Sequence, residues 1–273
     1  MKILIAIDGS RASLGTLHFA AQFVQRAGEP PTILCVIERE SDQRSKQVED
    51  TFNTARDILA VPEIETMLRT GHPVQEIVRE TESCKFDLLI IGEMRSNFLT
   101  QIFKGPPAAR IAACTPCPVV IAKGDRRPIK RILLCDSGSG RSEALNRFTA
   151  RLGKMLEGEE DITVLHVMSQ ISAGPGVKGG QLRASADELI QEHTPEGVLL
   201  ERDLQALDQP GVHPTPKVRH GLVVDEIIKE TRSGGYDLVI IGAHQGEKWR
   251  QLLLDNLAVE ILKRVDRPVL VVK

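Results

Sequence analysis

The chain has 273 residues, room for two domains of ordinary size rather than one or three. Apolar residues make up 41% and charged residues 26%, a globular balance that excludes a largely disordered chain. Thirty-five Lys and Arg against thirty-seven Asp and Glu leave a net charge of −2, which excludes a dedicated electrostatic nucleic-acid binder. In chain order, short apolar strands are expected at 3–7, 32–37, 63–68, 88–91 and 119–122. Helical spacing separates them at 12–27, 43–59, 73–83 and 105–113. Several strands are apolar without alternation, which predicts burial on both faces, as in a parallel sheet covered by helices. The segment 123–128 is short and polar with Gly and Pro, and reads as a linker.

Beyond that linker the pattern begins again. Ile3-Leu4-Ile5-Ala6-Ile7-Asp8 lines up with Ile132-Leu133-Leu134-Cys135-Asp136 at an offset of 128, counted from the two Asp. Thr32–Val36 matches Thr163–Val167 at 131, while 71–81, 87–92 and 117–123 match 221–231, 237–242 and 267–273 at 150. The same blocks in the same order mark an internal repeat. The jump from 131 to 150 places an insertion within 168–217, whose Gly- and Pro-rich composition reads as loop with a helical stretch around 182–192. The domains are thus expected at 1–124 and 129–273.

Ligands of open parallel sheets bind outside the carboxyl ends of the strands, where the strand order reverses, so the residues following each strand are the candidates. The first strand and Asp8-Gly9-Ser10, and later a strand ending in Gly, a long loop, a helix, "CPV" and a last strand, resemble the universal stress protein family. The two halves together resemble its tandem two-domain members. The resemblance implies two open, Rossmann-like α/β domains, each a five-stranded parallel sheet with helices on both faces. It also implies a cytoplasmic stress-response role and ATP or a related adenine nucleotide as ligand. The terminal strands 119–122 and 269–272 would meet across a pseudo-twofold within the chain, and a further homodimer is open.

Nucleotide-binding members carry Gly, two residues, Gly, nine residues, Gly, then Ser or Thr, and an Asp after the first strand faces adenosine. On that pattern the binding candidates of the first half are Asp8, Gly9, Ser10, Val36, Gly92, Arg95 and Gly105. Those of the second are Asp136, Ser137, Val167, Gly242 and His244. The spacing is kept, but Arg95 and Gln245 replace the middle Gly, and Pro106 and Asn256 replace the hydroxyl. Asp255 sets a negative charge where a phosphate would meet a helix start. These changes favour the first half. Arg95 could pair with a phosphate there, whereas Gly92 and Gly242 also read as plain turns and Asp8 and Asp136 as turn or cap acids.

Cys114-Thr115-Pro116-Cys117 closes a helix and precedes a strand, the reverse of a thioredoxin-type context, and reads as a structural pair. His18 and His72 read as packing or turn residues, and the seven histidines show no metal spacing. Five cysteines without an apolar leader of signal length fit a reducing, cytoplasmic setting. No run reaches the roughly 18 apolar residues of a membrane span, and no nucleophile is set beside a base and an orienting group. The expected function is binding or interaction in a stress response, not enzymatic turnover, with ATP or another adenine nucleotide held weakly in one half and no metal. The alternatives are a nucleotide-free interaction module of the same fold and, behind both, an adenine-nucleotide hydrolase or flavoprotein-like enzyme. No nucleic-acid or membrane partner is expected.

Overall fold

The computed structural model describes residues 1–38, 42–93, 106–124, 127–136, 142–156, 160–169, 184–242 and 256–273. In the first half, β1 (Ile3–Ile7), α1 (Arg11–Val24), β2 (Thr32–Ile37), α2 (Asp42–Leu59) and β3 (Glu65–Thr70) follow one another. They continue into α3 (Pro73–Ser83), β4 (Leu88–Gly92), α4 (Pro107–Cys114) and β5 (Val119–Ala122). The second half begins with β6 (Arg131–Cys135), α5 (Ser142–Gly153), β7 (Glu160–Met168), α6 (Ala186–Gln191) and α7 (Pro195–Leu207). It ends with β8 (Val212–His220), α8 (Val223–Gly234), β9 (Leu238–Gly242), α9 (Asn256–Arg264) and β10 (Val269–Val272).

The strands form one ten-stranded sheet in the order β3-β2-β1-β4-β5-β10-β9-β6-β7-β8. Each half is a parallel set of five with the same internal order. Between the described strands, β5 joins β10 antiparallel, with Val120 opposite Leu270, while the other pairings are parallel. Successive strand residues point to opposite faces, and both faces are covered, so Ile3 and Ile5 enter one core while Leu4 and Ala6 enter the other. Phe19 and Phe23 of α1, Leu59 of α2, Leu152 of α5 and Leu200 of α7 close the first face. Ile77 of α3, Ile111 of α4, Ile228 of α8 and Ile261 of α9 close the second. This two-sided cover is why the inner strands read as unbroken apolar runs.

The structure differs from the sequence reading most at 168–217. The helical stretch expected there appears as α6, but 195–207 is a further helix rather than loop, with Leu200 and Leu207 buried. Thr194 caps it by accepting from the Gly197 N–H at 3.0 Å, and Pro195 sits in its first turn, where a missing N–H costs nothing. Gly197 disguises the helix because Gly is a poor helix former. It is required by contact, since a Cβ there would lie 2.0 Å from the Leu189 carbonyl oxygen of α6. β8 carries Pro214 and Pro216, which an edge strand tolerates because one side of its backbone has no neighbouring strand among the described residues. The third strand runs over 65–70 rather than 63–68.

Candidate functional site

The strand order reverses between β1 and β4 in the first half and between β6 and β9 in the second. At the first switch point Asp8 follows β1 and is exposed. Its Oδ1 accepts from the Ser10 N–H at 2.9 Å and the Ser13 hydroxyl at 2.7 Å. Burial pushes this carboxyl up, but the hydrogen bonds from Ser13 and Ser10 outweigh it and hold the pKa below the usual carboxylate value. Ser10 precedes α1 without capping it, so Asp8 supplies the acceptor that organises the turn. Gly9 adopts φ +72°, a left-handed conformation that favours glycine, and its carbonyl accepts from Gln47 Nε2 of α2 at 3.0 Å.

Gly92 ends β4, and a Cβ there would lie 2.5 Å from Thr16 Oγ1 on α1. It is therefore a close-approach glycine that lets the strand end pass against the helix following Asp8. Val36 stays in the core of β2, paired in register with Arg69. Arg95 and Gly105 lie outside the described residues, and with them the phosphate end of the expected pattern.

The second switch point has different chemistry. Asp136 follows β6 and is 9% exposed, and Asp203 of α7, 1% exposed, hydrogen-bonds to it. Asn146 of α5 donates from Nδ2 to Asp203 Oδ1 at 2.7 Å, and Arg202 reaches the same oxygen at 3.4 Å. Burial, with the hydrogen bond and negative charge of Asp136, pushes the Asp203 carboxyl up to about 7. His166 of β7 is held below its usual value by burial, against the charges of Asp136 and Glu196. Gly242 ends β9, and among the described residues a Cβ there would meet Leu145 Cδ2 at 3.8 Å, an ordinary contact. Val167 lies in β7 beside Arg219 of β8. Ser137 and His244 lie outside the described residues.

The two Asp of the repeat thus have unlike settings: Asp8 is exposed and ionised, Asp136 is buried against a second acid. Asp203, Asn146 and His166 were not legible as site residues. The signal for Asp203 was an acid in the apolar stripe Gly197, Leu200, Asp203, Leu207, visible only once 195–207 is taken as a helix. Cys114 and Cys117 are not joined by a disulfide, and burial pushes the Cys117 thiol up to about 11, although Lys273 pulls it down. A thiol so shifted is a poor nucleophile. Among the described residues no three His, Cys, Asp or Glu gather as metal ligands, and no helix is long and apolar enough to cross a membrane.

Against known proteins, the model of the Universal stress protein family matches twice, over residues 1–123 and 128–273. A universal stress protein from Archaeoglobus fulgidus is similar over 100% of this chain and 96% of its own, at 18% identity and a TM-score of 0.68. A functionally unknown protein from Pseudomonas aeruginosa matches over 100% of this chain and 92% of its own, at 15% identity and a TM-score of 0.67. At such identities the two solved structures establish likeness of fold.

Proposed function

On the premise that the chain belongs to the universal stress protein family in both halves, we propose that it works by binding rather than turnover. Its ligand is an adenine nucleotide, held in the first half only. The observation that carries this reading is the contrast between the two repeat carboxylates. Asp8 stands exposed and ionised at the first switch point. It suits the amino and hydroxyl donors of an adenosine group. Asp136 is buried and engaged by Asp203, which comes from the longer second half, so its carboxyl is not exposed to a ligand as that of Asp8 is. The first half thus fits the adenosine end of the ligand.

Calorimetric titration of the full chain with ATP tests this. One ATP per chain should bind in an Asp8-dependent way, without release of ADP over the titration. Asp8→Asn keeps the Oδ1 acceptor for Ser10 and Ser13 while removing the charge, and should weaken binding about tenfold, as loss of one charge-assisted hydrogen bond does. Asp136→Asn should leave the affinity unchanged. Absence of heat at millimolar ATP, or weakening only in Asp136→Asn, would overturn the assignment.

A further inference from the structure

A cavity of about 460 Å³ lies between α5 and α7 in the second half. It runs along α5 from Glu143 in the first turn to Lys154 just beyond the last, and it borders the second switch point, sharing Asn146 and Arg202 with the Asp203 cluster. Among the described residues its wall carries Arg147 and Arg151 of α5, Lys154 just after it and Arg202 of α7, against one acid, Glu143. The whole chain, by contrast, has slightly more acids than bases.

This concentration of charge opposes folding. Arg147 and Arg151 stand at i,i+4, and Arg151 and Lys154 at i,i+3, spacings at which like charges weaken a helix. Part of the charge is answered within the protein. Arg151 reaches Asp87 of the first half through two contacts of 3.3 and 3.4 Å, and Arg202 reaches Asp203 at 3.4 Å. No acid pairs with Arg147 or Lys154 among the described residues. The repeat does not require the pattern, because the matching helix α1 has no Lys or Arg between Ala12 and Gln25. The opposite wall belongs to α7, which the longer second half supplies.

From this geometry we infer that the α5–α7 groove is a second binding site, for a small phosphorylated molecule carrying at least two negative charges. The volume is that of a small-molecule pocket. Three guanidinium groups offer the paired N–H geometry that phosphate oxygens accept. A nucleic acid would ask for a longer basic track and a positive chain. The groove requires nothing of the Asp8 site, so the two stand or fall separately.

The test uses pyrophosphate, which has the charge and no adenine, titrated into the full-length protein at low ionic strength. Saturable binding of one pyrophosphate per chain is expected, weakening steeply with added salt. The exposed pair Arg147→Gln/Lys154→Gln should weaken it at least about tenfold with a melting temperature no lower than that of the wild type, and Asp8→Asn should not alter it. A control pair outside the groove, Arg79→Gln/Lys263→Gln, should leave it intact. Failure of the protein to bind millimolar pyrophosphate overturns the site. So does wild-type affinity in the groove variant, or equal weakening in the control pair, which would mean diffuse attraction only.

Discussion

Asp136 and Asp203 set two carboxyls against one another under α7, and like charges so placed cannot both ionise without penalty. Asp203 has an ordinary value near 3.8 and about 7 when folded, so between those values the folded chain holds a proton that the unfolded chain has released. The stability it contributes is full below the lower value and is lost as pH rises through about 7. About three pH units at about 1.4 kcal/mol each bound this loss at about 4 kcal/mol, of which about 2 kcal/mol should survive relaxation around the charge. His166, held low, acts in the opposite sense as pH rises through its own range, so the Asp203 effect is best read as a difference between variants. Asp203→Asn keeps an acceptor for Asn146 and a donor for Asp136 at every pH. It should melt about 4–8 °C above the wild type at pH 8, with the gap shrinking toward pH 5. Melting curves at the two pH values check this, and a gap that does not change with pH would show that the pair does not share a proton.

At the scale of elements, periodicity located nearly everything that buries an apolar face. Strands 3–7, 32–37 and 119–122 and helix 73–83 stand where their patterns put them, because packing on both sides of a parallel sheet enforces long apolar runs. What escaped was α7, hidden by a glycine whose reason lies in another helix. Two helical glycines separate the causes. Gly197 has the Leu189 backbone 2.0 Å from the Cβ position, whereas Gly15 of α1 has nothing within 4 Å. Gly197→Ala must therefore push α6 from α7 and should cost about 2–3 kcal/mol, as overpacking does. Gly15→Ala should stabilise by roughly 0.5–1 kcal/mol, by helix propensity alone. Denaturant unfolding measures both, and a neutral Gly197→Ala would mean that the α6–α7 contact is not tight. The site was legible to the same degree and for the same reason. Asp8, Gly92 and Asp136 follow or end strands and could be found from the chain, but the partner of Asp136 could be found only through α7.

At the scale of the molecule, the joint between the halves is reciprocal. Lys123, at the end of the first half, donates to the Leu262 and Val265 carbonyls at the end of α9. Lys273, 150 residues later, donates to the Ala113 and Thr115 carbonyls at the end of α4. Each half thus satisfies helix-end carbonyls of the other with its last lysine, although burial lowers the pKa of both lysines. Between these clasps Val119, Val120 and Ile121 of β5 are buried against β10. A fragment of residues 1–124 would therefore carry an open, flat, apolar strand edge, which seeks a partner strand. A second copy of the same fragment provides one, because Lys123 stands to the first half as Lys273 stands to the second. An antiparallel β5–β5 pairing about a twofold would let each Lys123 reach the Ala113 and Thr115 carbonyls of the other copy. The fragment should run as a dimer by light scattering, and Val120→Lys should abolish that dimer, since a strand-edge lysine opposes pairing. A folded, monomeric 1–124 would show instead that the β5 edge is covered within one half, and that the antiparallel joint is not what holds the two halves in one sheet.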